Sequence, residues 1–325
     1  MGAAGVFYVH NSMHRPIPFD STIYRIERGD NLSNFTQQLK ISGLVTETWS
    51  FQLWARMKGD ARRIKAGEYR FAADSSLADA LQQLVDGSVV KRSITFIEGW
   101  TFYDVRAALQ RNPYLTQTLD GTDDARVMHE LGRPQEHPEG RFFPDTYVFN
   151  GGATDLSILQ QAYQRMRRIL ADEWAERATD VPVKDSYQAL ILASIIEKET
   201  GRAEERARIG GVLCNRLKGN MRLQVDPTVI YGLGREFDGN LTRKHLLADN
   251  PYNTYTRAGL PPTPIAMPGI DAIRAALHPE STEALYFVAR GDGSHEFSKT
   301  LRAHQLAVRK YQLKHTGQTA SRTNQ

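Results

Sequence analysis

Ala189-Leu190-Ile191-Leu192-Ala193-Ser194-Ile195-Ile196-Glu197-Lys198-Glu199-Thr200 reads as an apolar helix that runs into two acids. Between 189 and 196 apolar residues occupy nearly every side of a helical turn, so the segment is expected to be buried all round. A carboxyl at the end of such a helix lies close to apolar surroundings, which disfavour its charged form and raise its pKa. An acid that keeps its proton near neutral pH is what general acid catalysis needs. Glu197 and Glu199 lie about 200° apart around the helix, so they cannot serve one site side by side. Glu199 is in line with Leu192 and Ile196, and Glu197 with Leu190 and Ala193. Periodicity does not choose between them. The competing reading is a solvated helix end stopped at Gly201.

The rest of the chain sets the frame for that helix. Its 325 residues have room for two or three domains, and 41% hydrophobic and 24% charged residues are ordinary globular usage. A net charge of +4 without a dense Lys/Arg block gives no support to nucleic-acid binding and suits anionic cell-envelope material. Cys214 is the sole cysteine, which excludes an intrachain disulfide; beside Val212 and Leu213 it reads as a small buried hydrophobe. HExxH, CxxC, GxSxG and phosphate-binding glycine loops are absent from the sequence, so no metal or cofactor is expected. His245, His278, His295 and His304 are scattered and read as structural or exposed.

Patterning predicts an α+β chain. Residues 1–22 read as a linker. Their apolar run Gly2–Val9 is far short of the about 20 residues that span a bilayer; it fits the end of a membrane helix or an apolar tail. From 23 to 93 strand and helix patterns mix: a strand at 23–26, helices near 32–41 and 47–58, a strand at 67–71 and an amphipathic helix at 76–85. A strand is expected at 94–97. The largest helical block covers about 155–177, 185–200 and 203–218. Residues 220–270, rich in Pro, Gly, Asn and Tyr, read as functional loops. A helix at 271–278, a hairpin around Gly291-Asp292-Gly293 and a helix near 299–314 follow, and 315–325 reads as a disordered tail.

Two loop segments complete the pattern: Met221–Gly232, and Pro251-Tyr252-Asn253-Thr254-Tyr255 followed by Gly259-Leu260-Pro261-Pro262. They offer aromatic faces for sugar rings, with amides and hydroxyls for sugar hydroxyl groups; packing is the plainer use of the tyrosines. Ala193–Thr200, Asn215-Arg216-Leu217, Leu223–Gly232, Tyr252–Tyr255, Gly259–Pro262 and Gly140-Arg141-Phe142-Phe143-Pro144-Asp145-Thr146-Tyr147 together resemble the YceG-like family, the endolytic murein transglycosylases. The likeness runs from about 23 to 312.

This resemblance implies a LysM-like peptidoglycan-binding subdomain over 23–93, where Arg28-Gly29-Asp30-Asn31-Leu32 resembles a LysM turn, and a catalytic domain over 94–314. It implies cleavage of the MurNAc–GlcNAc bond within nascent glycan strands to leave 1,6-anhydro ends, and it places the catalytic acid on Glu199, the second acid of Glu-Lys-Glu-Thr. Asn215, Gln224, Tyr252 and Asn253 are then candidates for holding the sugar, with Tyr231 and Tyr255 as cleft walls. Asp226 is the nearest second carboxylate, although Pro227 after it marks a turn. Glu204 and Glu205 open the next helix and read as structural. The resemblance further implies an N-terminal inner-membrane helix, of which only a remnant would be present here, a periplasmic catalytic domain and peptidoglycan synthases as partners. A lysozyme-type hydrolase using Glu199 and Asp226 and a non-catalytic glycan-binding scaffold are the rival functions.

Overall fold

The computed structural model describes residues 3–27 and 29–313. The fold is mixed α+β, in two compact units. One comprises Met1–Ser93, Pro113–Thr116 and Val148–Thr154; the other comprises Ile94–Asn112, Gln117–Tyr147 and Asp155–Gln325. The tail 315–325 and Arg28 of the LysM-like turn lie outside the described residues.

In the first unit, strands Tyr24–Ile26 and Gly67–Tyr69 pair antiparallel, with Tyr24 opposite Tyr69 and Ile26 opposite Gly67. Alternation buries Tyr24 and Ile26 while Arg25 points to solvent. Helices Leu32–Ile41 and Trp49–Lys58 lie between these strands in sequence. Asn31 starts the first by accepting from the Ser33 and Asn34 N–H groups. Helix Leu77–Asp86 begins at a Ser76/Asp79 capping box. Phe35, Phe51, Tyr69 and Phe71 fill the core. Residues 3–22 do not form the expected linker. Ala3–His14 is a helix, and Val9, Met13, Ile17 and Phe19 are buried in that same core. Val9 and Met13 are four apart, so they share one helical face. No helix among the described residues is long and apolar enough to cross a membrane.

The second unit is built round the helix Ser186–Glu199, capped by the Asp185 carboxylate, which accepts from Gln188 N–H at 2.8 Å. Every residue from Ala189 to Ile196 is buried, as the sequence required. Helices Ala203–Lys218 and Ile270–Leu277 pack on it, with Asp155–Ala175 beside them. Gly210 and Gly211 let the backbones meet: a Cβ there would stand 2.4 Å from Ala275 O and 2.3 Å from Glu280 O. The central helix ends at Thr200, whose extended backbone breaks it one residue before Gly201. The strand expected at 94–97 is Lys91–Thr95. The 220–270 region is less loop-like than its composition indicates, for it holds helices Asp226–Leu233 and Arg243–Leu247. Pro227 is therefore a first-turn helix residue, where its missing N–H costs nothing. Strands Tyr286–Ala289 and His295–Ser298 form the expected hairpin. Asp292 Oδ1 accepts from Ser294 N–H at 2.8 Å across its turn.

Candidate active site

Helix termination decides the fates of the two acids. Glu197 accepts from Gly269 N–H at 2.9 Å and faces the Arg206 guanidinium at 3.4 Å, so it ties the central helix to the start of Ile270–Leu277. Glu199, on the opposite side, lies in the wall of a cavity of about 520 Å³. Among the described residues nothing donates a hydrogen bond to its carboxyl. Burial pushes its pKa up to about 8; Asp226 adds to the rise, and the Arg216 cation opposes it. A group in this state is protonated at pH 7.

The cavity is lined from four further places: Arg216 on Ala203–Lys218, Leu223–Pro227, Tyr255, and the hairpin with the following helix Leu301–Val308. Segments 222–228 and 254–255 are bound into one unit. Gln224 N–H donates to Thr254 O at 3.2 Å, Val225 N–H to Thr254 Oγ1 at 3.1 Å, and Arg222 Nη1 to Tyr255 O at 3.1 Å. Gln224 holds a left-handed backbone with φ of 50°. For a residue with a Cβ this costs roughly 1–2 kcal/mol, a strain that the surrounding bonds sustain. Tyr255 donates its hydroxyl to Asp226 Oδ1 at 2.6 Å. Burial raises the Tyr255 pKa, and Asp226 raises it further. Asp226 opens its helix, where the dipole favours a carboxylate.

A sequence profile described as the YceG-like family matches residues 24–310. The chain belongs to the YceG-like family. An endolytic murein transglycosylase of Bacillus subtilis is 32% identical over 94% of this chain and 90% of its own length. A Streptococcus pneumoniae protein of the same name is 27% identical over 89% of this chain, which spans 58% of that relative. The crystal structure of a YceG-like protein from Listeria monocytogenes superposes with a TM-score of 0.56 at 28% identity, covering 88% of this chain and 98% of that one.

In this YceG-like chain the structure gathers Glu199, Gln224, Asp226 and Tyr255 at one cavity and sets the other sequence candidates elsewhere. Asn215 spends its amide on Thr282 O at 2.7 Å and Ala284 O at 3.2 Å, fixing the approach to the hairpin. Asn253 is buried; its amide donates to His245 O, Leu246 O and Ala248 O, and its oxygen accepts from Tyr255 N–H. With its bonding capacity filled, it shapes the loop and offers nothing to a sugar. Tyr231 and Tyr252 meet edge-on, with ring centroids 4.9 Å apart. Their hydroxyls are engaged by Glu139 Oε2 at 3.0 Å and Thr263 Oγ1 at 2.9 Å. Glu139 is a buried carboxyl, also accepting from Phe102 N–H at 3.0 Å, and burial pushes its pKa up to about 7. Through Tyr231 it anchors the helix that begins at Asp226.

Sequence reasoning passed over Glu139, although it directly precedes the Gly140–Tyr147 segment. It also passed over Arg216, next to the chosen Asn215, and over Tyr286 of the hairpin, and it read the cavity-facing His295 as structural or exposed. Glu205 does not merely serve a helix dipole: it accepts from His295 N–H at 3.0 Å and contacts His295 Nδ1 at 2.7 Å. No group of three or more His, Cys, Asp or Glu side chains among the described residues is placed to hold a metal.

Proposed function

We propose that this chain is a lytic transglycosylase that cleaves the MurNAc–GlcNAc bond inside peptidoglycan glycan strands and leaves 1,6-anhydro-MurNAc ends. The observation that carries this reading is Glu199: one carboxyl, protonated at neutral pH and free of hydrogen-bond donors among the described residues, on the wall of a sugar-sized cavity. The kinship with proteins named endolytic murein transglycosylases supplies the substrate class.

Glu199 donates its proton to the glycosidic oxygen as the C1–O bond breaks and the muramyl ring gains oxocarbenium character. The ionised Glu199 then takes the proton of the C6 hydroxyl, which attacks C1. One carboxyl serves both steps because the nucleophile belongs to the substrate and is held at high effective molarity. Arg216 favours the ionised intermediate state of Glu199, and burial favours return of the proton. Gln224 and Tyr255 are the wall groups for sugar contact.

Asp226 on the same cavity gives the lysozyme-type hydrolase its one favourable observation, since two carboxyls are the usual equipment for hydrolysis. Mass spectrometry of peptidoglycan strands digested by the wild type and by Glu199→Gln separates the readings. Anhydro ends that vanish in the variant are expected. Reducing ends carrying added water would establish hydrolysis, and bound but uncut glycan would establish a scaffold. The strand–helix–helix–strand order over Tyr24–Tyr69 supports a LysM-like glycan-holding role for the first unit. The reading extends to a periplasmic site of action, attachment to the inner membrane and work beside peptidoglycan synthases, which cell fractionation and crosslinking would test.

A further inference from the structure

Arg216 is a buried cation with an unfinished environment. It is 7% exposed. Its Nε donates to Leu285 O at 2.6 Å and its Nη1 to Leu223 O at 2.5 Å, and the guanidinium stands 5.2 Å from the Tyr286 ring centroid. Among the described residues Nη2 has no hydrogen-bond partner, and no carboxylate lies within ion-pair distance of the group. A buried guanidinium normally meets a carboxylate, because desolvating a cation without one is costly. Here the carbonyl oxygens of Leu223 and Leu285 hold the side chain in place while one face is left to the cavity it shares with Glu199. Glu199 is protonated at neutral pH, and Asp226 on the same wall is engaged by Tyr255. Neither neutralises Arg216.

Resting on the transglycosylase reading, we infer that Arg216 is a carboxylate-binding subsite that recognises the anionic substituent of the muramyl ring at the scissile bond. Muramic acid differs from N-acetylglucosamine by a lactyl ether on C3. In a denuded strand that group ends in a free carboxylate; in a stem-bearing strand it is an amide, and the stem carries carboxylates of its own. Nη2, directed by the two carbonyl anchors, supplies a charge-assisted hydrogen bond to either source. Such a contact selects muramyl over glucosaminyl rings in the cavity.

The test is calorimetric binding to the catalytically silenced Glu199→Gln protein of three strand preparations of equal length: denuded, denuded with the lactyl carboxyl amidated, and stem-bearing. A denuded strand binding about tenfold tighter than its amide identifies the lactyl carboxylate. A stem-bearing strand tighter than both by that factor identifies a stem carboxylate instead. Equal affinity for all three overturns the proposal, and because this comparison needs no change at Arg216 it stands even if Arg216→Gln fails to fold. Where Arg216→Gln does fold in the same background, the preference should disappear, and Arg216→Lys should restore part of it. A carboxylate preference in strands that the wild type leaves uncut would retain the subsite and overturn the transglycosylase reading. Anhydro products with equal affinities would do the reverse.

Discussion

Replacing Glu199 by Gln should abolish strand cleavage and at the same time stabilise the protein. The carboxyl has a pKa of about 8 in the fold, against 4.5 when exposed. At 1.36 kcal/mol per pH unit the full difference corresponds to roughly 5 kcal/mol. The sign follows from linkage. A carboxyl with a raised folded pKa favours the fold relative to its ionised state only where it is protonated. The folded protein is not penalised below pH 4.5, loses stability as pH rises, and carries the whole penalty once pH passes about 8. Glutamine has nearly the same shape and no charge to desolvate. The cavity admits solvent, which screens the carboxylate, so the expected gain is about 2 kcal/mol at pH 8 and close to zero at pH 5. Urea unfolding of wild type and variant at pH 5, 6.5 and 8 measures it. Glu139 also titrates abnormally, but its contribution is common to both proteins and cancels in the difference. A gain that does not grow between pH 5 and pH 8 would refute the assignment of Glu199 as a desolvated acid with no hydrogen-bond donor among the described residues.

The pH profile of kcat/KM should have an alkaline limb near pH 8, because the proposed mechanism needs Glu199 to hold its proton, and Asp226→Asn should move that limb to lower pH by removing a charge that raises the Glu199 pKa. Glu139→Ala leaves the Tyr231 hydroxyl and the Phe102 N–H without their acceptor and should cost about 2 kcal/mol in thermal unfolding at pH 5. That loss should shrink as pH rises from 4.5 to about 7, because the wild type then takes on the penalty of ionising Glu139, and it should be smallest above pH 7. Gly210→Ala should destabilise by about 3 kcal/mol or more, since the added Cβ meets the Ala275 carbonyl oxygen at 2.4 Å; an unchanged melting temperature would mean that the two helices are not in this contact.

The sequence by itself determined the elements whose residue pattern is local. The all-round apolar run of 189–196 dictated a buried helix ending in acids, and alternation and turn residues dictated the hairpin of residues 286–298 and the strands flanking residues 32–58. Helix 226–233 escaped the reading because its Asp-Pro start is equally a turn signal and its face is recognisable only where it packs. Two acids 200° apart look alike to periodicity; the family resemblance pointed to Glu199, but the physical difference between them exists only in the tertiary fold: Gly269 N–H and Arg206 occupy Glu197, whereas Glu199 receives a cavity. The same applies to the polar candidates. An asparagine in a sequence does not reveal whether its amide faces a ligand or three backbone carbonyls, as Asn253 does. Nor does an arginine reveal that its neighbours leave one nitrogen unpaired at a cavity wall. Composition and periodicity fix which surfaces must leave water, but the partner of each buried polar group comes from residues distant in the chain, and that pairing exists only in the folded structure.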